Sequence, residues 1–141
     1  MALIALPKKQ YASSLLAAHL INQIREQEFD LGWNINAKGS WGLFEAIRNI
    51  GDNYCPRVVF TSSIAVFGAP FPEKITDDFF TTPLTSYGAQ KAISELLLSD
   101  YSRKGMIDGV SIRLPTICVR PGKPNLAASG FFSGIIREPL N

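Results

Sequence analysis

Residues that build metal centres and covalent scaffolds are scarce in this chain, whose 141 residues include 2 cysteines and 1 histidine. Cys55 and Cys118 form neither a metal-ligand spacing nor a disulfide framework, and each reads as a small buried apolar residue. A metal site or a Ser-His-Asp triad would have to be built on His19 with no second histidine, so no metal is expected. An excess of one charge is missing too. Lys plus Arg number 14 against 12 for Asp plus Glu, a net charge of +2, which speaks against nucleic acid or an anionic lipid surface as a partner. No apolar run approaches the ~20 residues of a membrane span. Met1–Leu6 are apolar and precede Pro7-Lys8-Lys9. A secretory signal has its positive charges first, so the expected compartment is the cytoplasm. The 11 glycines contain no three in the spacing of a Gly-rich phosphate-holding turn.

What is present suits a folded core. The chain is 46% hydrophobic and 18% charged, too apolar for wholesale disorder, and its length allows one domain that buries about two thirds of its unfolded surface. Residues 1–6 read as a short buried strand. Leu15, Leu16, Leu20, Ile21 and Ile24 recur at helical spacing and predict a helix over 10–27. Residues 28–35 read as loop or the start of a helix. Leu43, Phe44, Ala46, Ile47 and Ile50 predict a helix over 36–50, stopped by Gly51. Arg57–Ser62 is β-rich and apolar, as a strand buried on both faces is. Residues 67–85, with Pro70, Pro72 and Pro83, read as loop. The clearest helix spans 86–103, with Ala89, Ala92, Ile93, Leu96, Leu97 and Tyr101 as its apolar stripe and Gly105 as its left-handed cap. Gly109–Leu114 reads as another buried strand, 119–130 as loop and 131–138 as the beginning of a helix. Alternating helices and strands predict an α/β protein, a parallel sheet with flanking helices.

The residues that bear chemistry are Ser62-Ser63 and Tyr87-Gly-Ala-Gln-Lys91. Tyr87 and Lys91 stand four apart at the start of the clearest helix and share one face. A free tyrosine, with a pKa of about 10, is a poor base at neutral pH. A nearby ammonium favours the phenolate, and the dipole at a helix N-terminus pushes the same way. A serine at a strand end can orient a substrate hydroxyl or carbonyl. The three together suit proton transfer at an oxygen-bearing carbon coupled to hydride transfer. A ligand crevice is expected at the carboxyl ends of parallel strands. Ser62 and Ser63 lie at one such end, and Pro115-Thr116 at the next.

Val58-Val-Phe-Thr-Ser-Ser-Ile-Ala-Val-Phe-Gly68 followed by Tyr87-Gly-Ala-Gln-Lys91 resembles the extended short-chain dehydrogenase/reductases, the group of NAD-dependent sugar epimerases and dehydratases. The resemblance implies a Rossmann-like fold, incomplete here, with Ser63, Tyr87 and Lys91 as catalytic residues. Asn36-Ala-Lys-Gly-Ser40 is similar to the family's Asn-x-x-Gly-Thr, with serine in place of threonine, and puts Asn36 beside the cofactor. Tyr87, Lys91 and Pro115 join it on the nicotinamide side, and NAD is the cofactor implied. Arg113–Asn125 and Ala128–Pro139 resemble the branch that oxidises the 2-hydroxyl of D-erythronate, so a small-molecule sugar acid is the implied substrate. Ser62, Ser63, Thr116, Arg120 and Arg137 are its candidate contacts. A carboxylate needs cationic partners, for which Lys123 is a further candidate beside Arg120 and Arg137. Nucleotide-sugar epimerases usually have asparagine where this chain has Thr116. In the family the helices at 36–50 and 86–103 often pair across a homodimer.

The resemblance covers residues 28–141, the central catalytic part of an NAD-binding domain, while 1–27 read as a segment unlike the family. The family's Gly-x-x-Gly-x-x-Gly turn and the acidic residue that takes the adenosine ribose are missing. The expectation is therefore a truncated or fragmentary dehydrogenase that binds NAD weakly or not at all and is inactive alone. The other readings are a nucleotide-sugar epimerase or dehydratase, and a non-catalytic α/β module lacking the cofactor half. Without the family's first strand, the strand at 57–62 would expose an apolar edge unless 1–27 cover it.

Overall fold

A computed structural model describes residues 28–51 and 53–116, together with the backbone of Ala12–Leu15. The elements are strand β1 (Ala12–Leu15), helix α1 (Phe29–Gly32), a π-helical stretch (Trp33–Lys38) running into helix α2 (Gly39–Arg48), strand β2 (Arg57–Ser63), a 3-10 turn (Ile64–Val66), helix α3 (Ser86–Arg103) and strand β3 (Asp108–Leu114). Three strands form one parallel sheet in the order β1-β2-β3. The expected α/β architecture is present.

β1 replaces the expected helix over 10–27 at the residues described. Four residues are too few to separate strand from helix by periodicity, and pairing decides it: Ala12 stands opposite Arg57 and Leu15 opposite Phe60. The N-terminal segment thus covers the edge of β2. The expected strand at 1–6, the rest of 10–27, His19, Cys118, the loop over 119–130 and the helix start at 131–138 lie outside the described residues.

The core lies between β2 and the helices. Phe44 and Ile47 of α2, Val58 and Phe60 of β2, Leu98 of α3 and Ile107 form one buried cluster, and each such side chain taken from water contributes about 1.5–3 kcal/mol. Phe44 meets Phe60 nearly edge to face, with ring centroids 6.4 Å apart. Across the two helices the Tyr101 hydroxyl donates to Glu45. The Arg48 guanidinium first, and that hydroxyl second, hold the Glu45 carboxyl well below its ordinary range, at about 2.

β3 is not the buried strand its sequence predicts. Residues paired across a parallel ladder share a face, so Val59, Thr61, Val110 and Ile112 lie opposite the side on which Val58 and Phe60 meet the helices. On that other side Val110 and Ile112 are 54% and 46% exposed. Cys55 is likewise exposed rather than buried.

Helix α3 spans Ser86–Arg103, as its sequence predicts. Thr85 caps it, its hydroxyl oxygen accepting from the Gly88 N–H at 3.0 Å, which satisfies one of the donors a helix start leaves open. Gly105 takes a φ of +73° just beyond its end, a conformation only glycine adopts freely. The buried face differs from the expected stripe. It carries Tyr87, Gly88, Gln90, Lys91, Ala92, Ser94 and Leu98, while Ile93 and Leu96 are exposed. Polar side chains can hold that face because several of them have built-in partners.

Candidate active site

The carboxyl ends of β2 and β3 lie side by side, with Ser63 opposite Leu114. This brings Ser62-Ser63 and Pro115-Thr116 to one edge of the sheet, as expected. Ser62 and Ser63 are buried, Thr116 is half-buried and Pro115 is exposed. Ser63 ends the strand and caps the 3-10 turn, its Oγ accepting from the Ala65 N–H at 3.2 Å. That turn carries the chain toward the loop and returns it to the start of α3.

Tyr87 and Lys91 are 2% and 3% exposed, so a phenol and an ammonium are both taken out of water within one helical turn. Lys91 Nζ donates to the Thr61 carbonyl oxygen at 2.8 Å. It sits 4.8 Å from the Phe60 ring centroid and 5.7 Å from that of Tyr87. A carbonyl dipole and two aromatic faces thus offset the cost of burying the cation. The ammonium sits beside the Tyr87 ring rather than reaching away to solvent.

Asn36 is reached through α3. It lies in the π-helical stretch, itself buried, and its Nδ2 donates to Gln90 Oε1 at 2.7 Å. Its backbone carbonyl accepts from Ser40 Oγ at 2.6 Å and from Ser94 Oγ at 3.5 Å. Asn36, Tyr87 and Lys91 are therefore joined through the buried face of one helix. The sequence reading missed Gln90, Thr61 and Ser94. An Asn–Gln pair 54 residues apart leaves no local signal.

At the far side Arg113 makes a two-pronged ion pair with Glu95, with contacts of 2.8 to 3.2 Å, and lies 4.8 Å from the Phe67 ring. It ties the end of β3 to α3 and to the loop after Ser63. Arg120, Lys123 and Arg137 lie outside the described residues. Among the described residues no group of three His, Cys, Asp or Glu side chains could hold a metal ion, and no helix is long and apolar enough to cross a membrane.

The buried polar residues of the site are hydroxyl, carboxamide and ammonium groups without a carboxylate. Ser62 Oγ is an orphan among them, buried without a hydrogen-bond partner among the described residues. Such a set suits a ligand rich in hydroxyls and carbonyls, which is the chemistry of a nicotinamide ribose. The pyrophosphate half of a dinucleotide is not matched, because no Gly-rich turn is present in the sequence.

The chain is similar to known proteins over most of its length. The chain is 56% identical over 124 residues to a D-erythronate dehydrogenase of Cupriavidus necator, covering 88% of this chain and 38% of that protein. It is 49% identical over 124 residues to a D-erythronate dehydrogenase of Haemophilus influenzae, covering 88% and 39%. The chain thus spans less than two fifths of the length of these relatives. A crystal structure described as a nucleoside-diphosphate-sugar epimerase from Agrobacterium tumefaciens superposes with a TM-score of 0.81 at 64% identity, covering 92% of this chain and 37% of that one. The Rossmann-type fold follows from that likeness. With residues 9–140 matching the NAD dependent epimerase/dehydratase family, the chain belongs to that family.

Proposed function

We propose that this segment carries the proton-transfer part of an NAD-dependent dehydrogenase that oxidises the 2-hydroxyl of a sugar acid of the D-erythronate type. The observation that carries this reading is the buried Tyr87–Lys91 pair, one helical turn apart beside the carboxyl end of β2. Tyr87 Oη takes the proton of the substrate hydroxyl. Lys91, fixed on the Thr61 carbonyl, supplies the positive charge that favours the phenolate. Ser63 orients the hydroxyl by hydrogen bonding. Asn36, Tyr87, Lys91 and the Pro115 segment would hold the nicotinamide side of NAD. When bound, that ring supplies the hydride acceptor. Arg120 and Arg137, with Lys123, are the proposed anchors of the substrate carboxylate, with Thr116 and Ser62 beside the sugar carbons.

A second reading, a nucleotide-sugar epimerase, is favoured by the name of the Agrobacterium relative. The names of the Cupriavidus and Haemophilus relatives favour the sugar acid, and so does Thr116 in place of the asparagine usual in nucleotide-sugar enzymes. A full-length enzyme carrying this segment separates the two. NADH absorbance is expected to rise with D-erythronate, and UDP-glucose is expected to stay unepimerised. Epimerisation of UDP-glucose with no NADH formed from D-erythronate would overturn the dehydrogenase reading.

Pairing of two copies through α2 and α3 is proposed as well. Trp41 at 49% exposure and Leu96 at 69% leave large apolar side chains on both helices that a partner would cover.

A further inference from the structure

Gln90 is among the most deeply buried polar residues of the described chain, at 1% exposure, and none of the chemistry above uses it. Its neighbours in sequence are Ala89 and Lys91, so it shares the first turns of α3 with the Tyr87–Lys91 pair. Its Oε1 accepts from Asn36 Nδ2 at 2.7 Å, while its Nε2 has no hydrogen-bond partner among the described residues. A buried amide donor without a partner is a net cost to folding. Stability alone would favour an apolar side chain of the same size here.

Asn36 lies in a π-helical stretch, a widened turn of the kind often met at functional sites. Among the described residues, two hydrogen bonds reach Asn36 from α3: Gln90 on its side chain, and Ser94 Oγ on its carbonyl at 3.5 Å, the longer contact. Ser94 Oγ also accepts a local role, donating to the Gln90 carbonyl at 2.9 Å. The Gln90 contact is the shorter of the two hydrogen bonds that join Asn36 to the helix carrying Tyr87 and Lys91.

We propose that Gln90 is a positioning residue for the Tyr87–Lys91 pair. It fastens the widened turn to α3, so that the cofactor-side asparagine and the proton-transfer pair keep one relative placement. The assignment rests on Tyr87 being the base.

The test uses a full-length enzyme carrying this segment. Gln90→Met keeps the length and apolar volume but removes the acceptor for Asn36. Its kcat is expected to fall about 10- to 100-fold, the cost of a misplacement near 1 Å, with KM for D-erythronate changed less than about twofold. Gln90→Glu keeps an acceptor oxygen and is expected to recover most of the lost kcat. A merely structural role would lower stability without this split or this rescue. If Gln90→Met does not fold, Gln90→Leu removes the same acceptor with a more compact apolar side chain and is expected to show the same loss in kcat. Gln90→Met with kcat within twofold of wild type, or Gln90→Leu so in its place, while Tyr87→Phe is inactive, would overturn the positioning role and leave the proposed function standing. An active Tyr87→Phe would remove the base, and this assignment with it.

Discussion

In a full-length enzyme carrying this segment, Tyr87→Phe is expected to lower kcat by about 10²–10⁴-fold, the usual worth of a positioned acid–base group. The fold should be unaffected. The ring is what packs, at 2% exposure beside the Lys91 ammonium, and phenylalanine keeps the ring. The hydroxyl alone moves the proton. KM for the sugar acid should change little, because the lost interaction is made in the transition state. Circular dichroism and steady-state kinetics on the same preparation check both halves. A variant with near-wild-type kcat would show that another group takes the proton.

Gly88→Ala is expected to be the most damaging small substitution at the site. On intrinsic propensity the change should help, since alanine is favoured over glycine inside a helix by about 1 kcal/mol. The surroundings reverse the sign. A Cβ at Gly88 would lie 2.1 Å from the Ala65 carbonyl oxygen and 3.0 Å from Pro83 Cβ. A backbone carbonyl cannot rotate away as a side-chain tip can, so the turn after Ser63 or the start of α3 must move. Overpacking of this kind costs about 1–3 kcal/mol. The larger effect falls on chemistry, because Ala65 N–H donates to Ser63 Oγ and Gly88 adjoins Tyr87. Separating Ser63 from Tyr87 by about 1 Å is expected to cost about 100-fold in kcat. Denaturant midpoint and kcat measured together decide it, and a stabilised, fully active Gly88→Ala would contradict the close packing.

The sequence made some parts of this site legible and hid others for physical reasons. Helix Ser86–Arg103 could be read because its ends are marked by a cap residue and a glycine, and because Tyr87 and Lys91 fall one turn apart. Strand β2 could be read because it is central and apolar. The apolar stripe of α3 was misleading. Hydrophobic periodicity assumes that the apolar face is the buried one, and here the buried face holds the site's polar groups while Leu96 is exposed. β3 carries the opposite error, since Val110 and Ile112 belong to a sheet face with no described helix over it. β1, Ala12-Ser-Ser-Leu15, is too short and too polar to show a period of its own, and the leucines and alanines that follow it suggest a helix; its pairing with β2 settles it. The Asn36–Gln90 bond depends on two helices meeting far from one another in sequence, which no local pattern encodes. The positive groups proposed for the substrate carboxylate were chosen by charge and resemblance alone.

Calorimetric titration of the purified 141-residue chain with NAD tests the central claim, that this chain holds the proton-transfer half of the site and lacks the pyrophosphate half. A dinucleotide draws much of its affinity from a helix N-terminus and from glycines that let backbone N–H groups approach the phosphates, and no such turn stands in the sequence. Binding is expected to be weak or absent, with no dissociation constant in the low micromolar range. A low-micromolar constant would show that another segment of this chain supplies the phosphate site, and the division between a proton-transfer half present and a pyrophosphate half missing would be wrong.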